Sequence, residues 1–255
     1  MAYWPIGWIV LTRLGKAPAN GFRLPELSHR VLINGRTGSG KTIGGLWLLS
    51  QSAFHKQPFV IVDYKRDKTI ARIEGKRSIS LKDKLPVHPG IYHLEPTPAD
   101  DDAMERWLWS VWKRGRIGLF FDEGYLVPPT DVLKTIYTTG RSLDIPTITL
   151  SQRPVGLPPW AVSEADFHWL YHVRKFADRE RIASETPFVA NARGLSQVAS
   201  EWDEELVNLD RRLPPYWSRW FDVDRDVIVK LSPVPPAEVI LSTFKRRLTP
   251  RRRLI

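Results

Sequence analysis

The sequence contains no cysteine. Disulfides and thiolate metal sites are thereby excluded. Its six histidines show no ligand-type spacing, which argues against a structural zinc. Long apolar runs are missing too. The run at residues 4–11 is short and interrupted by Gly7, against the roughly 20 residues a spanning helix needs. No basic segment precedes it, so a secretory signal is disfavoured. A β-strand is expected there, and Tyr3, Trp4 and Trp8 leave interfacial membrane contact open as a lesser reading. Internal repeats and low-complexity linkers are also lacking.

What is present is positive charge. Lys and Arg number 38 against 28 Asp and Glu, a formal net charge of +10, with a pI near 9.9. A polyanionic partner is the leading expectation, nucleic acid ahead of a membrane surface. The plain alternative is solubility alone. With 255 residues and 42% hydrophobic content, the chain can build one large core, or one core with a small appendage.

Short β-rich runs alternate with helical stretches, a pattern that predicts a mostly parallel α/β sheet. Strands are expected at 30–34, 59–63 and 90–94, in "IGLFFDEG", in "IPTITLSQRP" and over 166–173. Helices are expected at 40–54, 131–139, 178–184 and 200–209. The clearest is "DDDAMERWLWSVWKRGR". Met104, Trp107, Leu108, Val111 and Trp112 recur at helical spacing and form one apolar face. Asp100 to Asp102 supply capping and favourable charge at its start, and Gly115 stops it. These tryptophans read as core rather than as a binding platform. Beyond about Pro187 the alternation weakens, and "WSRWFDVDRDVIVKL" reads as a hairpin turning near 224–226.

The stretch "VLINGRTGSGKTIGG" carries the chemistry. Gly35, Arg36, Thr37, Gly38, Ser39, Gly40, Lys41 and Thr42 match G-x-x-x-x-G-K-[ST] in full, between an apolar strand and a helical pattern. The glycines let the backbone approach phosphate oxygens, and successive N–H groups face them at a helix N-terminus. Lys41 places a cation beside the β- and γ-phosphates, and the Thr42 hydroxyl can ligate Mg²⁺. The cofactors expected are therefore ATP and Mg²⁺. Asp122, ending a buried strand, is the second candidate Mg²⁺ residue. Glu123 after it is placed to polarise the attacking water. Gln152 is expected at the end of a strand beside the first, within reach of the γ-phosphate or the lytic water. A structural glycine turn, an ordinary strand-end Asp-Glu turn and a solvated amide are the bland readings of the three features. Their co-occurrence argues against each.

In this order, "GRTGSGKT", "VDYKRD", "LFFDEG" and "GRSLDIPTITLSQRP" resemble the FtsK–HerA superfamily of P-loop ATPases. The nearest likeness is to the short genome-packaging ATPases of viruses and phages. The resemblance spans roughly residues 30–181. It implies an α/β fold: a RecA-like ASCE P-loop core with a mostly parallel central sheet, plus a small C-terminal extension. It further implies self-association into a ring, usually hexameric, that moves double-stranded DNA. An arginine of one subunit would reach the nucleotide of the next, and Arg141 is the position carried over for that role. Asp63 and Lys65 read as support behind the site.

The expected organisation is an N-terminal strand and extension at 1–29, an ATPase core at 30–187, and a C-terminal helix, hairpin and basic tail at 188–255. Two basic clusters are candidates for backbone contact with DNA without base specificity. One is the tail, with Lys245, Arg246, Arg247, Arg251, Arg252 and Arg253. The other runs from Lys65 to Lys84, where a pore loop is a candidate. Further expected partners are a capsid vertex or a membrane-associated viral protein, with the chain in the host cytoplasm or at a virion vertex. Two other readings stay open: a nucleotide-dependent assembly factor that binds ATP without moving DNA, and a conjugation- or secretion-type coupling ATPase. A P-loop kinase is disfavoured by Glu123, by Gln152 and by the lack of an obvious lid.

Overall fold

The structure, a computed structural model, describes residues 22–173, 175–185 and 215–249. Nine strands among them form one sheet: β1 (Arg30–Asn34), β2 (Pro58–Asp63), β3 (Arg77–Ile79), β4 (Gly90–Leu94), β5 (Gly118–Asp122), β6 (Thr147–Ser151), β7 (Phe167–Leu170), β8 (Ser218–Asp222) and β9 (Val227–Leu231). Their order is β3-β4-β2-β5-β6-β1-β7-β8-β9. Every pairing from β3 across to β7 is parallel. The β7–β8 and β8–β9 pairings are antiparallel.

The central strands are buried throughout, as a sheet covered on both faces requires. Alternate residues feed opposite layers. Phe59 and Ile61 of β2 join one core with Phe120, Ile148, Leu150 and helix α1 (Lys41–Gln51). Val60 and Val62 join the other, with Phe121, α3 (Asp101–Arg114) and α4 (Asp131–Thr139). Close approach of α1 to the sheet depends on Gly45. A Cβ there would stand 2.9 Å from Leu150 and 3.1 Å from Phe120, so the lost helix propensity at this glycine is offset by packing. Trp47, Trp169 and Trp220 meet edge to face, at 5.8 and 5.6 Å between ring centroids, a favourable quadrupole geometry.

The expected elements are found with small changes at their ends. Met104, Trp107, Leu108 and Val111 are buried on α3, while Trp112 is only half-buried. Gly115 ends α3 in a positive-φ conformation (φ 67). The capping expectation for Asp100 is corrected. Its carboxylate does not cap α3 but turns back onto the amide and hydroxyl of Thr97, at 2.8 and 2.7 Å, closing a short turn that Pro98 starts. The helix expected over 40–54 ends at Gln51, and the strand expected over 166–173 covers only Phe167–Leu170.

Of the elements not anticipated, two fall early in the chain: α2 (Lys68–Ala71) and the edge strand β3. Both fall in the basic stretch read as a candidate loop. Two small helices, α5 (Pro159–Ser163) and α6 (Phe176–Glu185), flank β7 in the chain. The hairpin is present, with its turn between Asp222 and Val227, and it extends the main sheet. A final helix, α7 (Ala237–Leu248), packs on α1. Arg247 ties the two together. Its guanidinium donates to the carbonyls of Ser50 and Ser52 and lies 4.2 Å from the Phe54 ring. The strand expected at 4–11, the helix at 200–209 and the tail arginines 251–253 lie outside the described residues. No helix among the described residues is long and apolar enough to cross a membrane.

Candidate nucleotide site

Parallel strands all end on the same side, and the loops leaving those ends share one crevice. Here β1 leads into the glycine-rich loop, β5 ends at Asp122, β2 ends at Asp63, and β6 lies between β1 and β5. Sheet order therefore brings together residues from four separate stretches of chain.

The loop is anchored at its base. Gly35 N–H donates to the Ser151 carbonyl (3.1 Å) and Arg36 N–H to that of His172 (2.7 Å). Gly40 enters α1 at φ 96, a left-handed value that a glycine adopts without steric cost. Among the described residues no acceptor takes the amides of Thr37, Gly38 or Gly40. A row of unsatisfied donors at a helix N-terminus is an anion site.

Lys41 is buried, with its ammonium 2.8 Å from Glu123 Oε1. Lys65 reaches the same oxygen at 2.7 Å. Glu123 Oε2 accepts from the Gln152 backbone N–H at 3.0 Å. Glu123 is thus fully engaged, in a left-handed conformation (φ 68) that is uncommon for a residue with a side chain. The Thr42 hydroxyl stands 3.5 Å from Asp122 Oδ1. Asp122 is pushed up to about 7, first by burial and then by the neighbouring carboxylates of Glu123, Asp63 and Asp67, with Lys41 acting in the opposite sense. The buried carboxylates of Asp63, Asp122 and Glu123 repel one another, and any added cation relieves this. The two oxygen-bearing side chains Thr42 and Asp122 suit a hard ion such as Mg²⁺.

Gln152 bridges the loop and the acidic pair. Its Oε1 accepts from the Thr37 hydroxyl and its Nε2 donates to the Tyr125 hydroxyl at 3.1 Å. Asp63 is held in turn by His93 Nε2 (3.2 Å) and by the Asp67 amide. That amide bond shapes the turn that presents Lys65.

The structure therefore brings together Gly35, Thr37, Gly38, Ser39, Gly40, Lys41, Thr42, Asp122, Glu123 and Gln152. Arg141 is not among them. It lies before β6, more than half exposed, and its guanidinium is 3.7 Å from Asp166 at the start of β7. Those are the amino ends of the strands, opposite the glycine-rich loop. Arg153 pairs with Asp178 at 3.3 Å. Sequence reading placed Lys65 behind the site, whereas the structure puts its ammonium directly on Glu123. It missed Tyr125, whose only sequence signal is its nearness to Glu123.

The basic clusters are partly engaged in structure. Lys76 donates to the Ala71 carbonyl, Arg77 lies over Tyr92, and Lys245 pairs with Glu74 at 2.8 Å.

No protein-family model matches the chain. The DNA packaging ATPase P9 of Enterobacteria phage PRD1 is 35% identical over 224 residues, covering 87% of this chain and 94% of that protein. Among solved structures, the genome packaging NTPase B204 of Sulfolobus turreted icosahedral virus 2, in complex with AMPPCP, is similar at TM-score 0.59 and 18% identity. It covers 82% of this chain and 100% of its own. The pCW3 conjugation coupling protein TcpA is similar at TM-score 0.51 and 12% identity, over 94% of this chain and 73% of its own. At such identities the two structures speak to the fold alone.

Proposed function

We propose that this chain, which belongs to the family of DNA packaging ATPases represented by P9 of Enterobacteria phage PRD1, hydrolyses ATP to drive double-stranded DNA into a preformed viral capsid. The fold is that of a P-loop ATPase of the FtsK–HerA type. The observation that carries the reading is the convergence of Lys41, Thr42, Asp122, Glu123 and Gln152 at the carboxyl ends of β1, β5 and β6.

In this reading the amides of residues 35–42 cradle the phosphates of ATP, and Lys41 leaves Glu123 for the β- and γ-phosphates. Thr42 and Asp122 hold Mg²⁺, which when bound offsets phosphate charge. Glu123 remains anchored by Lys65 and by the Gln152 amide, with an oxygen turned to accept a proton from the attacking water. The Gln152 side chain, between Thr37 and Tyr125, changes partner when the γ-phosphate leaves and passes the event to the loop after β6.

Copies of the chain form a ring, a hexamer, and Arg141 serves the nucleotide of the neighbouring copy. Its exposure and its place at the far end of the strands from its own glycine-rich loop support action in trans. DNA is gripped through its phosphates by exposed Lys and Arg. A capsid vertex, or a membrane-associated viral protein there, receives the ring from the host cytoplasm.

The test is ATP hydrolysis with and without duplex DNA under conditions where rings form. A several-fold rise on adding DNA is expected. One unchanged rate in a well-folded, assembled sample would favour an assembly factor that binds ATP without moving DNA.

A further inference from the structure

An apolar cavity opens beside the phosphate loop. It has a volume of about 420 Å³, inside the roughly 300–1,000 Å³ range of small-molecule sites. Gly40 and Ile43 form one wall. Gly40 also belongs to the phosphate cradle, so the two spaces share a boundary. The other walls come from three distant parts of the chain: Tyr171 just after β7, Tyr216 just before β8, and residues 233–237 leading into α7.

Tyr216 lies against the loop. A Cβ on Gly40 would stand 3.1 Å from its ring, and the residue is nonetheless 54% exposed. Tyr171 is buried beneath, its hydroxyl bonded to Ser218. Resting on the nucleotide reading above, we propose that this cavity is the base subsite of the bound nucleotide, and that it reads the faces of the base rather than its edges.

The chemistry of the lining supports both halves. A base presents a flat apolar face, and stacking on an aromatic ring does not depend on which base it is. Edge recognition needs aimed donors and acceptors. Among the described residues, the lining contains no carboxylate, amide or guanidinium side chain. Pro233, Pro235 and Pro236 also remove three backbone N–H groups from the strap that faces the base. An apolar pocket of this kind separates ligands that differ only in polar edge groups weakly. The protein is therefore an NTPase that accepts GTP nearly as well as ATP.

Equilibrium binding of ATP, GTP and inorganic tripolyphosphate tests this in the wild-type, Tyr216→Ala and Lys41→Ala full-length proteins. Wild-type affinities for ATP and GTP should agree within about fivefold. Tyr216→Ala should weaken both by about tenfold, the loss of one base–aromatic stack, and leave tripolyphosphate unchanged. That last result also reports an intact phosphate loop. The inference is overturned if Tyr216→Ala leaves ATP affinity unaltered, or if wild type prefers ATP over GTP by a hundredfold. It is overturned as well if Tyr216→Ala loses all three ligands together, since the tyrosine then supports the loop and not the base. Failure of the underlying reading looks different: Lys41→Ala would retain full affinity for both ATP and tripolyphosphate.

Discussion

Glu123 is the side chain on which the proposed chemistry turns. A carboxylate so thoroughly buried (1% exposed) requires cationic or hydrogen-bonding partners, and it has two ammonium groups and an amide. Replacing it by Gln keeps the shape but exchanges one acceptor oxygen for an NH2 donor and removes the base. Glu123→Gln should bind ATP with near wild-type affinity and hydrolyse it 10²-fold to 10⁴-fold more slowly, about the range general-base catalysis supplies. Filter binding and phosphate release read the two effects separately, and retained turnover would remove Glu123 from its role. Adjacency in sequence was enough to nominate Asp122 and Glu123. The Lys65 contact was not readable in the same way, because Lys65 and Glu123 meet only once β2 pairs with β5.

At the level of elements, β7 carries a marked acid liability. His168 is fully buried, stacked near Phe221, and neither ring nitrogen has a hydrogen-bond partner among the described residues. Burial lowers it to about 4, with Asp166 opposing. The unfolded chain, with an ordinary histidine near 6.5, binds the proton more readily. The stability held above pH 6.5 is therefore lost as pH falls toward 4, by up to about 3 kcal/mol. His168→Phe should flatten that part of the profile relative to wild type, as measured by denaturant unfolding between pH 4 and 7. A parallel pair of profiles would refute it.

The α1–α7 contact gives a second prediction on this scale. Arg247→Ala removes a cation from the carbonyl end of α1 and two of its hydrogen bonds. A loss of about 1–3 kcal/mol is expected in thermal unfolding. Periodicity revealed α3, and strand runs with turn residues revealed the β8–β9 hairpin. β3 and α2 were illegible because three or four residues carry too little period to register. The engagement of Arg247 was equally hidden, since a run of basic residues looks the same whether it is solvated or caps a distant helix.

The whole molecule, as proposed, is a subunit of a ring, and one residue reports on that directly. Arg141 stands apart from its own chain's nucleotide site, and among the described residues its guanidinium has one ion pair, a long contact to Asp166. Arg141→Ala should assemble normally with little turnover. Mixing it with Lys41→Ala subunits should restore part of the activity. In mixed rings an intact loop can then face an intact arginine. Absence of rescue, with mixed rings demonstrated, would count against action in trans. Sequence could nominate this arginine only through a resemblance, because a role on a neighbouring copy leaves no local pattern in its own chain.

Local order along the chain was sufficient to determine the phosphate loop, the acidic pair, the principal helices and the α/β class. The loop, the acidic pair and each helix are encoded within a stretch of about 15 residues, where backbone geometry and side-chain period act on near neighbours, and the class follows from how such stretches alternate. Tertiary structure alone decided that β5 flanks β6 on the side away from β1, that Lys65 touches Glu123, and that Tyr171, Tyr216 and a proline strap close a cavity beside Gly40. Those groups are separated by tens of residues, and contact between them is set by strand order, which depends on the packing of the whole core.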